Sequence, residues 1–290
     1  MMEPLFIGVD GGGTGCRARI QNAGGQALGE GTGGPANVRL GAEAARTSVL
    51  AACLGAVAAA GLTEASLARA HVGLGLAGAI ASKEAGSLLA GPLPFASAVL
   101  DTDAYTAWLG AFRGQPGAIL ILGTGSCGFG VFDGKPTYVG GWGNVISDEG
   151  SGATIGREAV RRALWALDGR IAATPLSNAI LAAHDRSPEQ VVAWADGAKP
   201  ADFARWTPVV LDHARRGDPL GAAIIEGAAA DIARMAERLL GLGAPALCLM
   251  GGLAQPLLPW LPARIRERVV PPQADAMDGA ILMARRAAGL

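Results

Sequence analysis

Lysine is scarce in this sequence: Lys83, Lys135 and Lys199 are the only lysines among its 290 residues. The arginines are spread along the chain, and the formal net charge is -1. Proteins that bind nucleic acid normally present a basic stripe or patch to the phosphate backbone. The composition therefore argues against nucleic acid as a partner.

Cysteine is also rare and dispersed. The four cysteines form no C-x-x-C motif and lie far apart, at Cys16, Cys53, Cys127 and Cys248. This spacing predicts neither a zinc site nor a disulfide framework. Reduced thiols in a cytoplasmic protein are the simplest interpretation.

Targeting and membrane signals are missing as well. No basic segment followed by a long apolar run opens the chain. The least charged stretch, residues 47–63, is rich in alanine and interrupted by Gly55 and Gly61. This pattern favours a buried helix over a membrane span, and we expect no membrane partner.

Two common catalytic motifs are absent. No G-x-x-x-x-G-K-[ST] occurs, which excludes a P-loop. Thr124 stands two positions before Ser126, so this turn is not G-x-S-x-G. The nucleophile elbow of the α/β hydrolases is therefore excluded at that position.

The chain is rich in apolar residues, at 50%, and contains 44 glycines. The stretches "FIGVDGGGTGCRARI" (6–20) and "AILILGTGSCGFGVF" (118–132) share a plan of apolar strand, glycine–threonine turn and second strand. This weak repeat predicts two similar α/β halves facing a cleft. The boundary is expected at Gly114–Gly117, giving domains 1–115 and 116–290, with the last helix packing back on the first domain.

Local patterns predict further elements. Strands are expected at residues 5–10, 16–21, 70–74, 98–100, 118–122, 129–132 and 246–250. Helices are expected over 42–60, after a cap at Thr102 or Asp103, after Ser151, from Pro219 to Gly241, and over 278–288.

The first glycine loop runs Asp10-Gly11-Gly12-Gly13-Thr14. Glycines let the backbone approach an anion closely, yet this loop begins with a carboxylate. A carboxylate beside a polyphosphate becomes favourable through a divalent cation, and Mg²⁺ takes only one or two protein carboxylates. Asp10 is therefore predicted to hold Mg²⁺, and Thr14 to meet the phosphates; the alternative is an Asp10 that only caps a turn.

The second loop, Gly123-Thr124-Gly125-Ser126, matches the first. Two such loops can grip a triphosphate from opposite sides, although each alone is compatible with an ordinary hairpin turn. Gly251-Gly252, after a predicted strand, is either a turn or a flat bed for adenine and ribose.

Gly73-Leu74-Gly75-Leu76-Ala77-Gly78 fits G-x-G-x-x-G after a predicted strand, with Asp101 near the position of a ribose-binding acid. This match suggests a dinucleotide-dependent oxidoreductase. The motif is weak evidence in a glycine-rich chain and would leave both threonine loops without a role. The alternative is a small-residue turn where a strand and a helix pack closely.

Asp103 follows a predicted strand end and opens a predicted helix. A carboxylate there could act as the general base that accepts a proton from a substrate hydroxyl as it attacks a γ-phosphate. The alternative is a plain helix cap.

Trp142 lies between glycines in Gly140–Gly143, which suits stacking on a sugar face, although a core position is the alternative. Asp148 could accept hydrogen bonds from sugar hydroxyls, or only form a cap beside Ser151. The three histidines stand in ordinary contexts and are interpreted as structural; they are His71, His184 and His213.

Together with "LDTDAYTAWLGA", "ILGTGSCG", "GGWGNVISDEGSG" and "LMGGLA", these motifs resemble the amino-sugar kinases of the BadF/BadG/BcrA/BcrD ATPase group, within the sugar kinase, Hsp70 and actin superfamily. The match covers almost the whole chain. It implies an α/β fold of two ribonuclease-H-like (actin-like ATPase) domains around a central cleft that closes on ATP and sugar. It also implies transfer of the ATP γ-phosphate to the 6-hydroxyl of N-acetylglucosamine and/or glucosamine.

The resemblance implies a role for each motif. Asp10 to Thr14 form the first phosphate motif, Gly123 to Ser126 the second, and Gly251 and Gly252 the adenosine motif. Asp103 takes the catalytic-base position. The substrate positions are Asn37, Asp103, Gly141, Trp142, Gly143 and Asp148.

The choice of sugar stays open. A glucosammonium ion needs a nearby carboxylate, such as Glu149, whereas an N-acetyl group needs an apolar wall, such as Trp142; N-acetylmuramate is a third option. A sugar or nucleotide sensor without catalytic activity is an alternative on the same fold. Iron–sulfur activators among the relatives need clustered cysteines, which this chain lacks, and the resemblance implies a homodimer.

Overall fold

The computed structural model describes residues 3–79, 83–90 and 92–290. Their contacts divide the chain into two compact units. Unit 1 comprises Met1–Gly117 and Pro271–Leu290, and unit 2 comprises Ala118–Val270.

The strands are β1 (Leu5–Gly11), β2 (Cys16–Gln21), β3 (Ala27–Gly33), β4 (Ala70–Leu76), β5 (Ser97–Asp101), β6 (Ala118–Leu122), β7 (Ser126–Phe132), β8 (Lys135–Val139) and β9 (Leu247–Met250). The helices are α1 (Ala42–Ala59), α2 (Lys83–Leu89), α3 (Asp103–Phe112), α4 (Gly152–Leu167), α5 (Pro175–Ala182), α6 (Pro188–Gly197), α7 (Pro200–Ala204), α8 (Thr207–Arg215), α9 (Pro219–Gly241), α10 (Ala254–Leu257), α11 (Ala263–Arg266) and α12 (Ala276–Ala287).

The sheet of unit 1 has the order β3-β2-β1-β4-β5. Strands β1, β4 and β5 are parallel, and β2 and β3 continue the sheet by antiparallel pairing. Since parallel strands end at the same edge, the ends of β1, β4 and β5 lie side by side. This edge carries Asp10 and Asp101 and leads into α3.

Glycines on one face of this sheet allow α12 to approach it closely. A Cβ atom at Gly8 would lie 2.0 Å from the carbonyl oxygen of Met277, and one at Gly73 would lie 1.9 Å from that of Ala280. Gly75, also in β4, leaves room for Thr106 of α3, whose Oγ1 would lie 2.0 Å from an added Cβ. Gly73 and Gly75 thus serve helix packing inside a strand, and this geometry gives no support to the dinucleotide-binding alternative.

Helix α1 covers the other face. Ile7 and Val9 alternate with Gly8 and are buried in one cluster with Val49 and Val57 of α1. Among the described residues, α1 is long and apolar enough, by length and composition only, to cross a membrane. Its buried side packs on β3, where glycines admit its backbone.

A cluster of charged side chains attaches the start of α12 to the sheet. Arg19 of β2 donates to Asp275 and Asp278 at 2.9 and 2.8 Å and to Glu30 of β3 at 2.8 Å. Burial lowers the pKa of Arg19, but the three carboxylates together raise it by more, so the pKa lies above its ordinary value. Asp275 also caps α12 by accepting from the N–H of Asp278.

Unit 2 contains the sheet β8-β7-β6-β9, in which β6 is antiparallel to β7 and parallel to β9. Helix α9 packs on this sheet, and α4 packs on α9 in the same apolar core. Asp218 caps α9 by accepting from Leu220 and Gly221, with Pro219 in the first turn. Asp218 also accepts from the N–H of Leu176 at 2.8 Å, which ties the start of α5 to α9.

The helices and strands predicted from strong periodic patterns were confirmed, whereas elements with weak patterns were not predicted. The predicted hairpin of β1 and β2, the helices α1, α4, α9 and α12, and the strand before Gly251 are present. Strands β3 and β8 and the short helices from α5 to α8 were not anticipated. Both missed strands lie at sheet edges and carry polar residues, glycine or proline, so they lack a buried apolar run.

Gly73→Ala tests the close packing on β4. The added methyl group would overlap the Ala280 carbonyl, and such overpacking costs about 1–3 kcal/mol of unfolding free energy or more. Urea denaturation measures the loss. Gly227→Ala in α9 is the matched control, because its Cβ would meet nothing within 4 Å and should stabilise the helix by about 0.5–1 kcal/mol. Equal stability of the two variants would contradict this packing.

Candidate functional site

The edge where β1, β4 and β5 end brings predicted site residues of unit 1 together. Asp10 is in register with Gly75, and Gly75 with Asp101, so the three positions form a row across the sheet. Side chains at aligned positions of parallel strands point to the same face. This is the face where Gly75 meets Thr106 of α3.

Asp10 has an arginine partner that sequence reasoning missed. Arg17 lies directly opposite Asp10 in the β1–β2 hairpin and donates to its Oδ2 at 2.8 Å. The alternating pattern of residues 16–21 was the available signal, since hairpin register alone pairs Asp10 with Arg17. The pair is partly exposed, so its net contribution to stability is small.

The glycine loop after Asp10 is held at its base and open at its tip. The N–H of Gly12 donates to the Gly15 carbonyl at 2.9 Å, and the Gly12 carbonyl accepts from Ala36 at 2.9 Å. Gly13 and Thr14 are exposed, and a Cβ at Gly13 would meet no atom within 4 Å. The tip therefore has room for a ligand beside its backbone.

Asp103 occupies the first position of α3, while Thr102 is the cap. Thr102 Oγ1 accepts from the N–H of Tyr105 at 3.1 Å, so the predicted alternative of Asp103 as a plain cap is wrong. Asp103 Oδ1 accepts from the N–H of Ala104 at 2.9 Å. Burial raises the pKa of Asp103 to about 6; the Ala104 N–H opposes this shift, and the Asp10 carboxylate adds to it. Asp103 and Asp10 are thus close enough to interact.

The Asn37 side chain caps a short turn in its own segment. Its Oδ1 accepts from the N–H of Arg39 at 2.9 Å and caps the short 3₁₀ turn Val38–Leu40. A Cβ at Gly78 would lie 2.6 Å from this oxygen. The segment thus lies against the turn that follows β4.

In unit 2, the second loop is attached to the start of α4. The carbonyls of Gly123 and Thr124 accept from the N–H groups of Gly152 and Ala153 at 2.8 and 3.1 Å. The Thr124 side chain is exposed. Ser126 is buried, and its hydroxyl donates to the Glu149 carbonyl at 2.7 Å, so it holds the loop to the 148–150 segment.

Gly251 lies beside the end of β6. Its φ is +88°, and a Cβ there would lie 2.4 Å from the Leu122 carbonyl oxygen. The same carbonyl accepts from the N–H of Leu253 at 3.0 Å. Gly252 has no atom within 4 Å of an added Cβ. The Gly251-Gly252 turn and the Gly123–Gly125 loop are therefore neighbours at one end of the sheet.

The Gly140–Gly143 segment presents Trp142 to solvent. The Trp142 side chain is 71% exposed, so the predicted alternative of a core position is wrong. Gly140, Gly141 and Gly143 all have positive φ, and a Cβ at Gly141 would lie 2.6 Å from that of Cys127. The glycines fold this segment tightly against β7.

Asp148 supports the same segment. Its carboxylate accepts from the N–H groups of Gly143 and Ser126, which lower its pKa, while burial has the larger, raising effect. The Asp148 carbonyl accepts from the N–H of Ser151 at 3.1 Å. Ser151 itself caps α4 by accepting from Thr154. Asp148 therefore fixes the loop beside the α4 cap without being the cap.

The histidines have structural surroundings, as interpreted from the sequence. His71 lies 2.8 Å from Ser97 Oγ and stacks on Phe6. His184 packs on Trp194 and Trp206. His213 Nδ1 lies 3.7 Å from the Asp218 carboxylate.

The donor set suits magnesium better than a metal held only by protein. No group of three or more metal-ligating His, Cys, Asp or Glu residues occurs in the part of the chain that the structure describes. Mg²⁺ usually keeps several waters and takes one or two carboxylates together with substrate phosphates. Asp10, with Asp103 nearby, fits that requirement.

Comparison with known proteins identifies the family of the chain. The model of the BadF/BadG/BcrA/BcrD ATPase family matches residues 7–284. The chain belongs to this family. The chain is 41% identical over 279 residues to the glucosamine kinase GspK of Vibrio cholerae, covering 96% of this chain and 95% of that protein.

Solved structures extend the likeness to the fold. A candidate N-acetylglucosamine kinase from Chromobacterium violaceum is 39% identical and superposes with a TM-score of 0.91 over 97% of this chain and 99% of that one. The ROK-family glucokinase of Streptomyces griseus, solved with glucose and AMPPNP, is 21% identical with a TM-score of 0.58 over 97% and 99% of the two chains, and shows the fold alone. The predicted family and the α/β actin-like fold class are confirmed.

Asp103 makes stability depend on pH. Its pKa is about 6 in the folded protein against 3.8 ordinarily, so the folded chain holds this proton more tightly, and stability falls as pH rises through that window. Asp103→Asn removes the free-energy cost of burying an ionised carboxylate. It should raise the unfolding free energy by on the order of 1–2 kcal/mol at pH 7.5, with little difference near pH 3.5.

Urea denaturation of both proteins at several pH values measures this difference. The exposed Asp196→Asn is the control and should change stability equally little at every pH. A difference between wild type and Asp103→Asn that does not depend on pH would contradict the raised pKa.

Proposed function

We propose that this protein transfers the γ-phosphoryl group of ATP to the 6-hydroxyl of an amino sugar, N-acetylglucosamine and/or glucosamine. The observation that carries the proposal is Asp103, a half-buried carboxylate at the start of α3 whose pKa is raised to about 6 and which lies near Asp10. Membership of the family and the likeness to amino-sugar kinases support the choice of reaction.

Asp103 has the properties of a general base. A base works best when its pKa lies near the operating pH, because it is then ionised yet basic enough to take a proton. As the sugar oxygen forms its bond to the γ-phosphorus, Asp103 takes the hydroxyl proton. The bond between the γ-phosphorus and the bridging oxygen breaks, and ADP leaves.

The phosphate-binding roles follow the two open loops. Asp10 would hold hydrated Mg²⁺, which neutralises phosphate charge when bound. The loop Gly11–Thr14 and the loop Gly123–Ser126 would present backbone N–H groups and the Thr14 and Thr124 hydroxyls to the phosphates. Gly251 and Gly252 would lie under the adenosine, where the absence of side chains leaves a flat surface.

The sugar-binding roles fall to Asn37 and to the 141–148 segment. Trp142 offers an exposed flat apolar face, which suits a sugar ring or an acetyl methyl group. Asp148 offers a carboxylate already oriented by two backbone N–H groups. Glu149, whose Oε2 accepts from Ser147 at 2.8 Å, would offer a carboxylate to the ammonium group of glucosamine.

We further propose that the protein acts in the cytoplasm as a homodimer. The composition and the reduced cysteines support the compartment, and the family resemblance supports the dimer. Sedimentation equilibrium measures the mass of the assembly directly.

An ADP-release assay with Mg-ATP and a panel of glucosamine, N-acetylglucosamine, N-acetylmuramate and glucose tests the function. We expect an amino sugar to be turned over fastest, and Asp103→Asn to lower kcat by at least about 100-fold with ATP affinity nearly unchanged. Asp101→Asn, two residues earlier, is the control and should retain most activity. Turnover of no sugar would refute the kinase proposal, and an active Asp103→Asn would refute the base.

Trp142→Ala separates the two amino sugars. If Trp142 forms an apolar wall for the acetyl group, its loss should raise KM for N-acetylglucosamine about ten-fold, because burial of such groups contributes about 1–3 kcal/mol, and should affect glucosamine less. Val145→Ala, in the same exposed segment, is the control. A KM that is the same for wild type and Trp142→Ala on both sugars would remove Trp142 from the site.

A further inference from the structure

Unit 2 contains a cavity of about 420 Å³ between α4 and α9. Its volume lies within the range of about 300–1,000 Å³ that is typical of small-molecule sites. The charged lining from α4 is Arg157, Glu158, Arg161 and Arg162, and the lining from α9 includes Gly227 and Asp231. None of these residues belongs to the phosphate loops or the sugar segment.

Positive charge exceeds negative charge in this cavity. Arg161 and Arg162 share a single carboxylate, Glu158, which has its pKa lowered by both guanidinium groups. Asp231 is already paired with Arg234, which is outside the lining. Among the ion pairs of the described residues, Arg157 has no carboxylate partner.

The arginines keep donors for a ligand. A guanidinium group has five N–H donors in a planar fork that matches phosphate oxygens. Arg157 uses one donor, to the Asn144 carbonyl at 2.7 Å, and Arg162 donates its Nε to Glu158 at 2.5 Å. Several guanidinium N–H groups thus remain on one helix, within two turns.

The α9 side of the cavity can accept hydrogen bonds from hydroxyl groups of a ligand. Asp231 has a partly exposed carboxylate that can accept hydrogen bonds from a polyol, and the buried Ile224 gives an apolar base. A Cβ at Gly227 would meet nothing within 4 Å, so this position opens onto free space. The cavity combines a cationic side, an accepting side and room between them.

We propose that the α4–α9 cavity is a second binding site, for the phosphate monoester of a small polyhydroxylated molecule such as a sugar phosphate. The arginines of α4 hold the phosphate, and Asp231 accepts from hydroxyl groups. Binding here reaches the 141–148 segment through Arg157, because an anion competes with the Asn144 carbonyl for the guanidinium. That last effect rests on the proposed function, whereas the binding itself does not.

Gly227→Leu fills the cavity without removing any charge. Gly241→Leu, on the same helix and also without neighbours within 4 Å, is the matched control. Isothermal titration calorimetry with N-acetylglucosamine 6-phosphate should count one binding site fewer per chain in Gly227→Leu than in wild type or Gly241→Leu. Equal counts in all three proteins would overturn the proposal, whether or not the chain is a kinase.

Two further measurements test the chemistry of the site. Arg161→Gln should weaken binding at the cavity by about ten-fold or more, since it removes a charge-assisted contact; unchanged affinity would remove the arginines from the site. Inorganic phosphate should bind at least about ten-fold more weakly than the sugar phosphate, because it lacks the polyol. Equal affinity of the two probes would overturn the polyol part of the proposal.

Kinetics separates the cavity from the reaction site. In wild type, inhibition by the sugar phosphate should have a noncompetitive component against the sugar, because Arg157 connects the cavity to the 141–148 segment. In Gly227→Leu this component should disappear and leave purely competitive inhibition. The same component in both proteins would contradict the connection.

Discussion

In unit 1, helices and strands pack so closely at certain glycines that a side chain at these positions would overlap the neighbouring element. Gly8 and Gly73 admit α12 to the sheet, Gly75 admits α3, and Gly279 of α12 lies so close to α3 that a Cβ there would be 1.9 Å from the Thr106 carbonyl oxygen. The two helices and the two strands thus form one tightly packed group. Its effect is to hold the first turn of α3 against the sheet edge, which places Asp103 near Asp10 and removes much of its water. The close packing of α3 and α12 on the sheet therefore also accounts for the burial that raises the pKa of Asp103.

Unit 2 uses glycine differently. Gly141 and Gly251 have positive φ and lie against β7 and the end of β6, so they shape loops and do not admit helices. The carbonyls of Gly123 and Thr124 accept from the first N–H groups of α4, and the Thr124 side chain at the tip of that loop stays exposed. The N-terminal loop has the same division between a bonded base and an open tip. The two halves of the sequence repeat are alike in this respect.

Much of the fold was predictable, because buried strands and long amphipathic helices leave strong periodic signals. The motif residues were also identified from the sequence, and their roles stay predictions. The sequence could not show which neighbour each glycine admits. Gly73 and Gly75 match a nucleotide-binding motif in spacing, yet they lie inside a strand. Only the positions of α3 and α12 show that these glycines make room for helices. Arg157 was missed for a similar reason, since its contact with Asn144 spans 13 residues and depends on how α4 is oriented.

The chain leaves unit 1 at Gly117 and returns to it only at Pro271. Helix α12, which covers β1 and β4 and receives Arg19, is therefore synthesised after unit 2. On the ribosome, unit 2 is complete before this helix exists, so the glycine positions that admit α12 stay uncovered while more than 150 residues are translated. Residues 1–117 are made before unit 2 but reach their final structure after it, and the stability of unit 1 should be sensitive to the loss of residues 271–290.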